Sequence, residues 1–371
     1  MREIPFVKVS GSPEACGAQI GEALRADIHE NVAAYMEVFT KGVGVSVDAV
    51  RKYAAEIVPV ISDYAPDLLD EMRGLARGSN LDLGDIVALN ARTEILYGLQ
   101  NRPAAKKVDV GDECTSAGVL PEETVSGHTL IGQNWDWKAI VADRTAILGI
   151  DEPSRPRVIV FTEAGFVGKI GINEHGIGVL ANLLISADDQ GQMGVPYHVI
   201  LRKVLAARHL HEATSAITLP QRGSSGNFLI GSAGGEVIDI EATPRGFDYL
   251  LTSDGIVTHS NHFLTPELRG RDMRRGGSAL SMIRYDRARR LLRQDAGHID
   301  EQSFMRMFRD HFGYPYSICR HVNPEDAPYD QVLSAASIVM DLEARTIWIS
   351  GGTPCEEEYR RFELAAVMAN S

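Results

Sequence analysis

No stretch of this 371-residue chain approaches the ~20 consecutive apolar residues that a bilayer-spanning helix needs, so no membrane anchor is expected. A positively charged start followed by an apolar run is also missing. Met1-Arg2-Glu3-Ile4-Pro5 passes directly into mixed sequence, and cytoplasmic residence is the expectation. Basic residues are in the minority: 37 Lys and Arg against 50 Asp and Glu leave a formal net charge of −13, which would repel nucleic acid over most of the surface. Cysteine is scarce. Cys16, Cys114, Cys319 and Cys355 lie far apart with no CxxC or CxxH spacing, so neither a disulfide framework nor a zinc site is indicated, and a reducing compartment fits. Taken without context each reads as a small buried hydrophobe, and Cys16 and Cys355 keep that reading. Internal repeats and low-complexity tracts are absent. Gly168, Gly171, Gly176 and Gly178 miss the dinucleotide fingerprint, and no Walker lysine follows them.

What the chain does have is 44% hydrophobic residues, enough for one large core or two modest ones at roughly 150 residues per domain. Residues 1 to about 110 carry mainly helical patterns. One starts at Ser12-Pro13-Glu14 and runs through Val38, a second begins near Ser46, a third spans about Val58 to Leu75, and a fourth follows Asp82 or Asp85. The Gly17/Gly21 spacing reads as incidental packing. Asn101 to Lys107 has the polar and proline content of an exposed connection. Beyond it the period changes to short β-prone runs near 129–132, 158–161, 167–172, 178–180, 228–230, 237–240 and 337–340, punctuated by glycine-rich turns. Helical patterns return at Tyr197 to Ala207, His211 to Leu219, Ala279 to Gln294 and Gln302 to Phe312. Helices with mainly antiparallel strands, not strictly alternating, read as α+β. Arg271, Arg274, Arg275, Arg284, Arg287, Arg289 and Arg290 form a basic run, read as a solvated face balancing nearby acids, with a dock for an anionic group as the sharper alternative.

The stretch Asp112-Glu113-Cys114-Thr115-Ser116 stands where helix-patterned sequence gives way to strand-patterned sequence, and Gly132-Gln133-Asn134-Trp135-Asp136-Trp137 follows closely. If the bond before Cys114 were cut, that cysteine would become an amino terminus with its own base. A free α-amine has a pKa near ~8, far below that of lysine, so at neutral pH part of it can take the thiol proton. No histidine is required.

Together with Thr258-His259-Ser260-Asn261-His262 and Tyr314-Pro315-Tyr316-Ser317-Ile318-Cys319-Arg320, these residues resemble the successive motifs of the acyl-CoA:6-aminopenicillanate (isopenicillin N) acyltransferase family. Asn90-Ala91-Arg92-Thr93-Glu94, Thr162 to Gly171 and Gly194-Val195-Pro196 fit the same order, so the resemblance covers nearly the whole chain. It implies an N-terminal nucleophile hydrolase: an α+β, four-layer αββα sandwich with a helical N-terminal segment, made as a precursor that cuts itself. The cut would fall between Glu113 and Cys114. Residues 1–113 would remain bound as a helical small chain and residues 114–371 would form the catalytic large chain, the two making one domain. The fungal members carry glycine before the cysteine, where this chain has Glu113, so the rate of self-cleavage is left open.

The resemblance also assigns roles. Cys114 is the nucleophile, Asp136 holds its ammonium, Arg320 fixes the Asp136 carboxylate, and Asn261 donates to the oxyanion. Losing one such donor typically costs ~100-fold or more. Thr115, Asn134, Thr243 and His259 are the further candidates around the nucleophile; Thr243 lies where fungal members have serine. The implied partners are a small-molecule amide or acyl-thioester substrate and the chain's own N-terminal fragment, with hydrolysis of a small N-acyl or β-alanyl-type amide the favoured class. No metal or organic cofactor is needed, and a homo-oligomer is left open. Two rival readings are a papain-like hydrolase pairing Cys114 with His259, active without cleavage, and a non-catalytic binding protein of the same fold.

Overall fold

After a short strand, five helices follow in the computed structural model, which describes residues 3–99, 114–252, 254–273 and 279–369. They are α1 (Pro13–Ala23), α2 (Arg25–Glu37), α3 (Val47–Tyr64), α4 (Pro66–Ser79) and α5 (Leu83–Asn90). Ser12 and Ser46 cap α1 and α3, their hydroxyls accepting from Ala15 N at 3.3 Å and Ala49 N at 3.2 Å. The third expected pattern is displaced: α3 runs unbroken through Pro59 to Tyr64, and the break falls before Pro66, whose ring suits the first turn of α4.

Gly17 and Gly21 turn out to be specific contacts. A Cβ on Gly17 would lie 2.0 Å from Glu71 O on α4, and one on Gly74 would lie 2.1 Å from Glu14 O on α1. Only paired glycines let these two backbones approach so closely.

The strands are β1 (Phe6–Ser10), β2 (Thr115–Val119), β3 (Leu130–Lys138), β4 (Thr145–Asp151), β5 (Val158–Glu163), β6 (Ile170–Asn173) and β7 (Ile177–Asn182). They continue with β8 (Gly226–Ser232), β9 (Glu236–Thr243), β10 (Gly246–Leu250), β11 (Ile256–His259), β12 (Val332–Asp341), β13 (Thr346–Ser350) and β14 (Tyr359–Glu363). One sheet of eight has the order β1-β4-β5-β6-β7-β8-β9-β10, and one of six has the order β11-β2-β3-β12-β13-β14. All pairings are antiparallel except β1 with β4, so the N-terminal segment supplies an edge strand that its helical patterning did not reveal.

The remaining helices are α6 (Tyr197–Val204), α7 (Leu210–Thr218), α8 (Ala279–Arg293), α9 (Glu301–Phe308) and α10 (Leu364–Ala369). Helices α6 and α7 cover β7 and β8, while α8 and α9 cover β2, β3, β11 and β12; β2 and β3 face β7 and β8. The layering is therefore αββα, the arrangement the family resemblance implies. Beneath α8 and α9, Ala288, Leu292, Phe304 and Phe308 pack on Ala117, Val119, Leu130 and Val339. Among the described residues no helix is long and apolar enough to cross a membrane. Cys16 is buried as expected, but Cys355 is exposed, because it sits in the turn after β13 rather than on a strand.

Candidate active site

Cys114 immediately precedes β2, a strand hydrogen-bonded on both sides by β3 and β11, and is only 3% exposed. Strand alternation turns Cys114, Ser116 and Gly118 toward the eight-stranded sheet, where Gly118 meets Leu229 and Val237. Thr115 faces the covering helices. The Cys114 Sγ lies 3.9 Å from Asp136 O on the neighbouring strand. Glu113, the other half of the expected scissile bond, lies outside the described residues, as do the 101–107 connection, Arg274 and Arg275.

Asp136 and Arg320 are joined through a residue that no motif marked. Ser334 stands opposite Asp136 across the β3–β12 pairing, and its hydroxyl donates to Asp136 Oδ1 at 2.6 Å. Arg320 N donates to that same hydroxyl oxygen at 2.9 Å, and Ser334 N donates to Arg320 O at 3.0 Å. Asn134 works one layer away from the thiol: its Nδ2 donates to Phe308 O at 2.9 Å and to Ile318 O at 2.8 Å, clamping the end of α9 to the segment that leads to Arg320.

Asn261 is held by three bonds. Its N donates to Ser281 Oγ at 2.9 Å, its Nδ2 donates to Leu183 O at 3.0 Å, and its Oδ1 accepts from Arg284 Nη2 at 3.2 Å. Arg284 also donates through Nη1 to Cys114 O at 2.6 Å and to Thr115 Oγ1 at 2.9 Å. This guanidinium, 2% exposed, is not on the solvated face that the basic run suggested. The signal was its helical spacing: Ser281, Arg284, Ala288 and Leu292 form the buried stripe of α8. The other described arginines of that run do balance acids, as expected. Arg271 pairs with Asp188, Arg287 with Asp310, Arg289 with Asp254 and Arg290 with Asp286.

His259 and Thr243 are engaged elsewhere. The His259 ring nitrogens meet Ser260 O and Glu241 Oε1, each at 2.8 Å. Burial disfavours charge on this imidazole, but Asp239 and Glu241 outweigh it and raise its pKa. Glu241 in turn accepts from Leu264 N, Thr265 N and the Thr265 hydroxyl, and is lowered by His259 and these donors against the effect of burial. Thr243 donates to Asp188 Oδ2 at 2.9 Å beside Arg271, at the β9–β10 turn.

The inner wall near the thiol carries charge that sequence reading did not single out. Lys169 Nζ sits 2.5 Å from Glu163 Oε1 and 3.5 Å from the centre of the Trp135 ring. Arg92 reaches the same carboxylate at 3.2 Å and lies over Trp137 at 3.6 Å, while Tyr35 donates to Glu163 and accepts from Trp137 Nε1. Burial, helped by Arg92, pulls the Lys169 amine down to about 7, with Glu163 and Cys114 opposing. Arg92, Glu163 and Lys169 all fall in stretches that carried the family resemblance without a role. On the facing strands, Asn182 accepts from the Ser116 hydroxyl at 2.7 Å. Asn182 Nδ2 and Asn227 Oδ1 are buried polar atoms with no partner among the described residues. Asn182 and Asn227 thus offer unmatched amide atoms on the strands that face β2 and β3.

A family model described as acyl-coenzyme A:6-aminopenicillanic acid acyl-transferase matches residues 123–356, a stretch that takes in Asp136, Asn261 and Arg320 and begins after Cys114. The chain is 27% identical over 322 residues to the acyl-coenzyme A:6-aminopenicillanic-acid-acyltransferase 40 kDa form of Emericella nidulans, covering 85% of this chain and 84% of the relative. Among solved structures, a conjugated bile acid hydrolase variant from Clostridium perfringens is 13% identical with a TM-score of 0.47, covering 67% of this chain and 93% of that one. Penicillin V acylase from Agrobacterium tumefaciens is 14% identical with a TM-score of 0.42, covering 64% and 83%.

Proposed function

Because the chain belongs to the acyl-coenzyme A:6-aminopenicillanic acid acyl-transferase family, and so is an enzyme acting on amide bonds, we propose that it is a self-processing cysteine amidohydrolase or acyltransferase with Cys114 as nucleophile. The observation that carries this reading is the fastening of Cys114 itself: a buried thiol at the start of a doubly paired strand, with its carbonyl held by Arg284. Such a residue is rigid on its C-terminal side. Cleavage on its N-terminal side would release an amine without disturbing the strand.

In maturation the Cys114 sulfur attacks the Glu113 carbonyl carbon. The C–N bond breaks as the departing nitrogen gains a proton, and water hydrolyses the resulting thioester, leaving a Glu113 carboxylate and a free Cys114 amine. In turnover the α-amine takes the thiol proton, sulfur attacks the substrate acyl carbon, and the ammonium returns the proton to the leaving amine or thiolate. Water or a second amine then resolves the acyl-enzyme. In this reading Asp136, braced by Ser334 against Arg320, holds the ammonium, and Asn261 meets the charge on the tetrahedral oxygen. A Cys/His mechanism finds less support, since both His259 nitrogens are already bonded. Residues 1–113 remain attached as a small chain and residues 114–371 form the large one. The polar wall of Asn182 and Asn227 favours a compact polar amide over a long apolar acyl chain.

The test is the intact mass of freshly purified wild type beside a Cys114→Ala control. Two fragments divided before Cys114 in the wild type, and one chain in the control, support the reading. An uncut wild type that hydrolyses amides overturns it.

A further inference from the structure

Linear spacing hides a cluster that folding assembles. His311 and Cys319 lie in the segment after α9, His321 lies two residues beyond Cys319, and Cys355 comes from the turn after β13, yet one ligand atom from each falls within 4.8 Å of all the others. His321 Nε2 is 3.2 Å from His311 Nε2, 3.7 Å from Cys319 Sγ and 3.4 Å from Cys355 Sγ. Zinc bonds of about 2.0–2.1 Å to nitrogen and 2.3 Å to sulfur, set tetrahedrally, give N···N edges of about 3.3 Å and N···S edges of about 3.6 Å. The observed separations match those edges.

We propose that His311, Cys319, His321 and Cys355 form a tetrahedral zinc site that fastens the turn after β13 to the segment carrying Arg320. Two thiolates and two neutral imidazoles balance the dication, the two thiol protons leaving to solvent as the ion binds. The surroundings suit it. Glu356 Oε1 lies 3.7 Å from His321 Nδ1, where a carboxylate orients a metal-bound imidazole. An independent bond holds the two segments together, Arg309 Nε donating to Pro354 O at 2.8 Å, and within the first segment Cys319 N donates to Asp310 O at 2.9 Å. The role is structural, with all four positions filled by protein and none open to substrate. Arg320 sits between two ligands, and its backbone grips Ser334, so the ion would steady the chain from the zinc to Asp136. The site does not depend on Cys114 being the nucleophile.

The test is elemental analysis of untagged full-length protein after dialysis in zinc. About one zinc per chain is expected, falling below about a tenth in His311→Ala and in Cys355→Ser, both at exposed positions and both checked for an unchanged fold by circular dichroism. Cys114→Ala must keep the wild-type zinc content, and cobalt replacing zinc must give the intense visible bands of a tetrahedral thiolate site. Wild type without bound zinc overturns the proposal. So does zinc unaffected by both variants, or a Cys319–Cys355 disulfide in protein purified under reducing conditions.

Discussion

The guanidinium of Arg284 meets the carbonyl oxygen of Cys114 at 2.6 Å, and through its other nitrogen it reaches Asn261 Oδ1. One buried side chain on α8 thus ties the residue that would attack to the residue that would stabilise the resulting charge.

Removing that tie should cost both processing and stability. Arg284→Met leaves the Cys114 carbonyl, the Thr115 hydroxyl and the Asn261 amide without their shared donor. The fraction of chain beginning at Cys114, read by gel and N-terminal sequencing, should fall at least ~10-fold, and urea unfolding should show a loss of about 2–4 kcal/mol. Arg284→Lys should not rescue cleavage, because a point charge cannot bridge both partners.

Ser334→Ala deletes the hydroxyl between Asp136 and Arg320. A lost bond to a charged group is worth about 1.5–3 kcal/mol, so kcat/KM of the processed enzyme should drop roughly 10- to 100-fold. Ser334→Thr keeps the hydroxyl and should recover most of it. An unchanged kcat/KM in the alanine variant would remove Ser334 from the site.

Stability should depend on pH through His259 and Glu241. The histidine is raised above its ordinary 6.5, so its contribution is complete below that value and is lost as pH climbs through the raised one. The glutamate is lowered from 4.5, so its contribution is present above that value and is lost as pH falls through the lowered one. Asp239, pushed by burial up to about 6, acts oppositely between 3.8 and that value. The urea midpoint should therefore decline on the alkaline side, and His259→Gln should flatten that decline while cleavage before Cys114 persists. Loss of cleavage in this variant would revive a histidine-based mechanism.

The crossing of α1 and α4 should reject even a methyl group. Gly17→Ala places a carbon 2.0 Å from Glu71 O and should destabilise by about 1–3 kcal/mol, measured by thermal or urea unfolding. Gly84→Ala, in open space within α5, should be neutral or stabilise by up to about 1 kcal/mol.

Much of the architecture could be read from periodicity. The runs at 158–161, 228–230 and 237–240 became paired strands, and four of the five later helices start within a residue of where their patterns begin, α10 having shown no pattern. What escaped was non-local. Phe6 to Ser10 joins a sheet whose partner lies at Ile147 to Asp151, and no local pattern encodes a pairing at that distance. Site residues divided the same way. Cys114, Asp136, Asn261 and Arg320 stand in motifs, whereas Ser334 meets Asp136 only because the β3–β12 register sets it opposite. Arg284 was obscured by arginines around it that do face solvent, and the His311–Cys355 group by a separation of more than forty positions in the chain.

The edge pairing of β1 with β4 has a bearing on what a nicked molecule would be. A fragment ending at residue 113 would keep a strand laced into the other fragment's sheet, together with the Tyr35 and Arg92 side chains that bind Glu163 beside Lys169. Scission would leave no free peptide to diffuse away. The two pieces would sediment as one particle, resist subunit exchange, and regain activity after denaturation only when refolded together.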